Sequence, residues 1–218
     1  HRGQESAGIV TADHGQLFAH RAMGLVHDCF TPDDLKKLPG DVAIGHVRYS
    51  TAGGSHSRNA QPLAADTAHG TIALGHNGNL TNADELRSTL EARGSIFASS
   101  ADTEVIVHLI ALSRAAGMVD KVVDALLQVR GAYSLVMLTA QGIIAVRDPL
   151  GVRPLVLGRI NEAFVVASEA CAFDLIGAEY VRDVEPGEMI VIDGAGMRST
   201  RPFAPEKPHA CVFEYVYF

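Results

Sequence analysis

The 218-residue chain has no tryptophan and only three cysteines, Cys29, Cys171 and Cys211. The three are far apart and form no CxxC pair. Neither a disulfide framework nor a zinc ribbon is encoded, and a reducing compartment, the cytoplasm, is expected. Clustered positive charge is also missing. The 18 Lys and Arg residues are scattered among 25 Asp and Glu, for a net charge of −7, which argues against a nucleic-acid backbone as the main partner. No apolar run reaches the roughly 20 residues that a bilayer requires, and no secretory signal is visible. Internal repeats and low-complexity linkers are absent. A recognisable nucleophile is absent too. Cys29 and Cys171 lie in apolar surroundings, where a thiol usually serves as a small core residue.

Apolar residues make up 47% of the chain and charged residues 20%, as in ordinary globular proteins. The length suits one large domain or two small ones. Residues 7–12 and 16–21 read as strands around an Asp13-His14-Gly15 turn. Runs 41–49, 71–76, 133–139, 142–146, 155–157, 164–167 and 189–192 read as further strands, with a tight hairpin at Ala140-Gln141. Helical patterns cover 83–93, opened by an Asn82/Glu85 capping box, then 103–116, 119–129 and 171–176. Adjacent hairpins imply antiparallel sheets, and runs apolar on both faces imply cover on both sides. Two antiparallel sheets with helices outside meet both demands. Residues 198–209 hold Pro202, Pro205 and Pro208 and read as an extended connector. An aromatic-rich strand follows it, from Cys211 to Phe218.

Four polar blocks end apolar runs: His1-Arg2-Gly3-Gln4-Glu5-Ser6, Arg48-Tyr49-Ser50-Thr51-Ala52-Gly53, His76-Asn77-Gly78-Asn79-Leu80 and Ser100-Ala101-Asp102-Thr103-Glu104. Taken singly, each has a plain structural explanation. Arg48 could form a surface salt bridge, Asn77-Gly78 a hairpin turn, and Asp102 a helix N-cap. Asp148, in Arg147-Asp148-Pro149, could pair with an arginine inside a turn. Cys211 alone is a weak metal signal, because a site needs several ligands. Together the blocks offer a guanidinium for a carboxylate, an amide beside a glycine for an oxyanion, and a carboxylate for an ammonium. Those groups suit a small zwitterionic amide such as glutamine.

These blocks, with Asn59-Ala60-Gln61-Pro62, Arg147-Asp148-Pro149, Gly151, Arg153-Pro154-Leu155 and Phe213-Glu214-Tyr215-Val216-Tyr217-Phe218, resemble the glutaminase half of the amidophosphoribosyltransferase family. The resemblance runs over essentially the whole chain. It implies an α+β fold, the four-layer αββα sandwich of N-terminal-nucleophile hydrolases, here expected to lack its first strand and helix. It implies a glutaminase domain over residues 1–197, and a connector with a first strand over 198–218 leading to a phosphoribosyltransferase domain outside the chain. The implied activity is release of ammonia from glutamine for transfer to phosphoribosylpyrophosphate, giving 5-phosphoribosylamine for purine synthesis. The family's nucleophile is an amino-terminal cysteine. The chain opens on His1, so no glutaminase activity is expected of this piece alone. By position, Arg48 would hold the glutamine carboxylate and Asp102 its amino group. Asn77 and Gly78 would form the oxyanion hole, and Arg2 and Thr51 would line the same pocket. Cys211 stands where some members ligate a [4Fe-4S] cluster, and Mg2+ would serve the phosphoribosyltransferase half. A homo-oligomer is expected. Two alternatives remain open at this point. One is the glutaminase domain of another class II amidotransferase, of the glucosamine-6-phosphate synthase type. The other is a non-catalytic glutamine sensor.

Overall fold

The computed structural model describes residues 5–49 and 56–209. A hairpin opens them. β1 (Ser6–Asp13) and β2 (Gln16–Met23) pair antiparallel around His14 and Gly15, which take the left-handed backbone (φ 46° and 80°) that the tight turn requires. Two short helices, α1 (Val26–Cys29) and α2 (Pro32–Leu35), lead to β3 (Val42–Arg48), which pairs with the free edge of β1. A single 3-10 turn at Ser57–Asn59 precedes β4 (Leu63–Thr67) and the long β5 (Gly70–Leu80). Three helices follow, α3 (Ala83–Ala92), α4 (Thr103–Leu112) and α5 (Met118–Leu126). The rest is hairpin-connected: β6 (Gly131–Thr139), β7 (Gly142–Arg147), β8 (Val156–Ile160) and β9 (Ala163–Ala167), then α6 (Cys171–Ile176), β10 (Glu179–Asp183), β11 (Met189–Asp193) and β12 (Gly196–Thr200).

The strands form one six-stranded sheet, ordered β12-β11-β7-β6-β5-β4, and two three-stranded sheets, β2-β1-β3 and β10-β8-β9. Alternation along the central strands assigns the layers. Ile72, Leu74, Leu135, Met137, Ile144 and Val146 pack with the buried faces of α3, α4 and α5. Ala73 and Leu138 on the opposite face meet Val10 and Ile44 of the first small sheet. Ala145 and Ile190, on that same face, meet Leu157 of the second. Phe173 of α6 lies on the outer side of β8, where its ring comes 2.8 Å from the position a Cβ would take on Gly158. α1 lies over the outer side of β1 and β3, across a hollow of about 200 Å³ lined by Ala7, Ile9, Val26, Phe30 and Val47. The layers are therefore helix, sheet, a pair of small sheets, and short helices. The second sheet of the expected pair is split in two.

Several boundaries move. α4 is apolar nearly all round, with Val105, Ile106, Val107, Leu109 and Ile110 buried, as its central position demands. It stops at Leu112, short of Ala116, because Ser113 turns extended and its carbonyl accepts the buried Lys121 ammonium at 2.8 Å. A cation at a helix C-terminus is favourably placed. Asn82 does not cap α3. Its side chain donates to Gln128 O at 3.0 Å and accepts from Arg130 N at 2.8 Å, fastening the end of α5 to the start of α3. The boundary drawn at 197/198 falls inside β12, and Phe203 beyond it is buried in the helix-side core. Among the described residues no helix is long and apolar enough to cross a membrane.

Candidate active site

β3 and β5 run in the same sense on facing sheets. Ile44 and Ala73 share one core cluster. The His46 ring sits 3.7 Å from where a Cβ on Gly75 would lie, and His46 Nε2 is 3.0 Å from the His76 carbonyl. The next inward positions along the two strands are Arg48 and Asn77. Both side chains thus project into the same end of the gap between the sheets.

Arg48 is only 5% exposed. Its Nη1 lies 3.3 Å from Glu5 Oε2, an ion pair joining the last residue of β3 to the residue before β1. The surface salt bridge considered from sequence is therefore a buried one. A buried guanidinium must be satisfied, since an unpaired charge away from water costs several kcal/mol.

Asn77 and Gly78 do not turn the chain. β5 continues through them to Leu80, and the β5–β6 register places Asn77 opposite Ser134 and Gly78 opposite Tyr133. The hairpin reading fails because the strand partner comes from β6, more than 50 residues on. At Gly78 a Cβ would meet Ala132 O at 2.1 Å, so this ladder position accepts only glycine without moving β6. Asn77 Nδ2 is buried and has no hydrogen-bond partner among the described residues. A buried donor left unmade costs about 1–3 kcal/mol, and such orphans concentrate where a ligand supplies the missing acceptor.

Asp102 precedes α4 but does not cap it, because its side chain accepts no amide of the first turn in capping geometry. Instead Oδ2 accepts the backbone N–H of Leu80 at 2.9 Å, which brings the carboxylate to the end of β5. Burial pushes its pKa up. The His76 ring, the Leu80 amide and the Thr103 amide outweigh that and hold the carboxyl below its usual range. It stays an anion at neutral pH, with a side chain 15% exposed.

Beneath these groups lies a polar network that sequence reasoning left unassigned. His76 Nδ1 is 3.2 Å from Thr103 Oγ1 and 3.6 Å from Asp102 Oδ1. Gln61 accepts from the His76 backbone N–H at 2.7 Å and donates to Thr103 Oγ1 at 3.2 Å. Asn59, wholly buried, donates to Ser100 Oγ and accepts from Ser100 N, both at 3.0 Å. Glu104 accepts the Ala98 and Ser99 amides, each at 2.7 Å, which shapes the loop entering Asp102. The usable signal was a histidine inside an otherwise apolar strand, at positions 46 and 76.

Other expected positions lie elsewhere. Arg2, Thr51 and Cys211 fall outside the described residues. Cys29 is buried on α1 with its Sγ 3.5 Å from Ala22 O, and Cys171 is exposed on α6 with its Sγ 3.2 Å from Glu169 Oε2. Asp148 is fully buried but bonds to backbone amides, Tyr133 N at 3.2 Å among them, and burial raises its pKa. Arg147, the expected partner, donates to the carbonyls of Arg153, Val184 and Gly151 instead. Among the described residues no group of His, Cys, Asp and Glu is placed to hold a metal ion.

Residues 46–174 match a family described as glutamine amidotransferase domain. The chain is 50% identical over 220 residues to chloroplastic amidophosphoribosyltransferase 2 of Arabidopsis thaliana, covering all of this chain and 39% of that protein. It is 48% identical to the amidophosphoribosyltransferase of Bacillus subtilis, covering 46% of it. A solved structure of glutamine phosphoribosylpyrophosphate amidotransferase from B. subtilis, complexed with ADP and GMP, superimposes with a TM-score of 0.94 at 46% identity, over the whole of this chain and 47% of that one. The chain spans less than half the length of these relatives. With that likeness, the αββα layers are those of an N-terminal-nucleophile hydrolase fold.

Proposed function

The chain belongs to the glutamine amidotransferase domain family, and from that premise we propose that it is the glutaminase part of an amidophosphoribosyltransferase. Its task is to release ammonia from glutamine for transfer to phosphoribosylpyrophosphate, which gives 5-phosphoribosylamine. The observation that carries the reading is the orphaned Asn77 Nδ2 beside Gly78, at the end of the sheet gap that Arg48 enters.

In this reading Arg48 grips the α-carboxylate of glutamine and Asp102 its ammonium. That holds the side-chain amide toward Asn77 and Gly78. A cysteine thiolate attacks the amide carbon, and the carbonyl oxygen becomes an oxyanion bound by Asn77 Nδ2 and the Gly78 N–H. Collapse expels ammonia, protonated by the base that took the thiol proton, and leaves a thioester that water hydrolyses to glutamate. The resemblance to the amidophosphoribosyltransferase family assigns this thiol to an amino-terminal cysteine. Arg2 and Thr51 complete the pocket.

The cofactor reading is narrower. A [4Fe-4S] cluster needs four thiolates, and the described residues offer two, on helices that pack against different small sheets. They do not fit a cluster. Cys211 is a candidate ligand only with thiolates from elsewhere in the intact protein, and no step of the glutaminase reaction passes through iron. Mg2+ belongs to the phosphoribosyltransferase half. A cytoplasmic homo-oligomer with neither nucleic-acid nor membrane partner completes the reading.

The test is formation of phosphoribosylamine by the intact protein, with glutamine or ammonia as nitrogen donor. We expect both to work, and glutamine alone to be lost in Asn77→Ala. Amination of fructose-6-phosphate in place of phosphoribosylpyrophosphate would move the domain to the glucosamine-6-phosphate synthase type. Glutamine binding without ammonia release would make it a sensor.

A further inference from the structure

The buried Arg48 guanidinium has to be aimed as well as neutralised. A long, rotatable stem separates it from the backbone of β3, and two-point recognition of a carboxylate works only when the plane of the fork is fixed. Glu5 is placed to fix it. Its backbone extends the ladders on both sides of β1. The Glu5 N–H donates to Arg48 O at 3.3 Å, and the Glu5 carbonyl accepts from Gly24 N at 2.8 Å. The residue is thus tied to the end of β3 and to the end of β2 through its main chain alone. From that fixed point its carboxylate reaches the guanidinium, with Arg48 Nη1 3.3 Å from Glu5 Oε2.

A second Arg–Glu pair in the molecule shows the difference between closing a fork and aiming one. Arg182 meets Glu188 at two points, 2.8 Å from Nη1 and 2.6 Å from Nη2, so that its partner takes up the planar face of donors. Glu5 engages Nη1 of Arg48 and neither of its other nitrogens. The Nε and Nη2 groups form a separate edge of the guanidinium. That edge carries two parallel N–H bonds, the pattern that matches a carboxylate.

We propose that Glu5 is a positioning residue of the glutamine site, which holds Arg48 by Nη1 and thereby turns the Nε–Nη2 edge toward the α-carboxylate of the substrate. This rests on the reading of Arg48 as the carboxylate-binding group. Glu5 acts here through the place of its accepting oxygen rather than through its charge. A countercharge would work from any nearby point, and it would weaken the pull of Arg48 on an anion. A positioning acceptor works only within hydrogen-bond reach, and it strengthens the grip. Two conservative substitutions separate these roles. Glu5→Asp keeps the charge and withdraws the oxygen by one methylene. Glu5→Gln keeps an accepting oxygen at the same reach and removes the charge.

The experiment compares glutamine with 4-aminobutanamide, which is glutamine without its α-carboxylate. The ratio of their kcat/KM values in the intact protein isolates the carboxylate contact, because the ammonium contact, the oxyanion donors and the nucleophile serve both substrates. The wild-type ratio should favour glutamine by at least about 100-fold. Glu5→Asp should lower the ratio about tenfold, and Glu5→Gln should keep it within about threefold of wild type. Thermal unfolding checks that each variant is folded, and Glu5→Ala, which removes the oxygen altogether, serves if the Asp variant is not. A ratio within about threefold of wild type in Glu5→Asp overturns the proposal, because the reach of the oxygen would then not matter. So does a larger fall than that in Glu5→Gln, which would make Glu5 a countercharge. Equal losses with both amides leave the ratio of Glu5→Asp unchanged and overturn it too, with Glu5 reduced to holding the strand end. Arg48→Lys separates the two readings. If the wild type shows no preference for glutamine, or Arg48→Lys keeps the preference in full, the carboxylate role of Arg48 fails. If Arg48→Lys loses the preference while Glu5→Asp keeps it, the positioning role of Glu5 alone fails.

Discussion

Gln61 stands opposite His76 and closes a strand edge with its side chain. The β4–β5 register ends with Leu63 opposite Leu74. Two residues further along each strand, Gln61 Oε1 rather than a backbone carbonyl accepts the His76 N–H, at 2.7 Å. The amide nitrogen of the same side chain reaches Thr103 on α4 at 3.2 Å. One side chain therefore joins the loop before β4, the strand β5 and the helix α4 that follows Asp102.

Gln61→Leu should separate those three parts while keeping volume. It leaves the buried His76 N–H and the Thr103 hydroxyl each short of a partner, at about 1–3 kcal/mol for each such group. We expect a loss of roughly 2–4 kcal/mol in denaturant unfolding, with no change in secondary-structure content. Wild-type stability in this variant would show that the edge is solvated rather than closed by Gln61.

Arg48→Lys keeps the charge and removes the planar fork. A lysine can still neutralise Glu5 but cannot bind a carboxylate at two points. The expected outcome is a glutamine KM raised about 10–100-fold, with ammonia-dependent synthesis and thermal stability close to wild type. An equal fall in both activities would reduce Arg48 to a structural ion pair with Glu5.

Much of the sheet framework was legible because its strands are apolar and its turns short. The hairpins at Asp13-His14-Gly15 and Ala140-Gln141 stand where the sequence places them. β4, β10 and β12 escaped notice because they lie at sheet edges and carry polar, exposed side chains. Asn77-Gly78 misled for a physical reason. The pair is a strong turn signal where the chain is free, and here a ladder with β6 overrides it. Asn82 and Asp102 sit at helix starts with capping chemistry, yet both spend their side chains on distant backbone, Arg130 and Leu80. Local propensity cannot see a partner 22 to 48 residues away. The polar blocks at 48, 76–80 and 100–104 were visible as chemistry. The network joining them through Gln61 and Thr103 was not, because the bonds tying Gln61, His76 and Thr103 to one another span 15 to 42 residues.

The far end of the large sheet gives a pH prediction. Glu188 is buried, and its carboxylate meets Arg182 at 2.6 and 2.8 Å, Ser199 Oγ at 2.5 Å and the Glu185 amide at 2.7 Å. Burial pushes its pKa up, but these donors prevail and hold it down at about 2. A depressed carboxylate contributes stability that is complete above the ordinary glutamate pKa near 4.3 and is lost as pH falls toward the folded value. Stability should therefore fall from about pH 4.5 to about pH 2, and Glu188→Gln should lose that part of the slope. At pH 7 the variant should be weaker by roughly 3 kcal/mol, because Arg182 keeps its charge without its partner. An unchanged acid slope would mean that other carboxylates control acid unfolding.

Asn77 and Gly78 adjoin in the chain, and their alanine variants should fail in opposite ways. Asn77→Ala removes a buried donor that has no acceptor in the free protein, so folding stability should hold within about 1 kcal/mol or rise. Glutamine turnover should drop about 100–1,000-fold, the usual effect of losing one oxyanion donor, with little change in glutamine binding. Gly78→Ala adds a methyl 2.1 Å from Ala132 O and forces β5 away from β6. It should destabilise the fold by about 1–3 kcal/mol and reduce turnover through the shifted N–H. Paired unfolding and steady-state measurements on the two variants separate donor chemistry from strand geometry. If Asn77→Ala lost glutamine binding at normal turnover, its amide would be a ground-state contact, and the oxyanion assignment would pass to other donors.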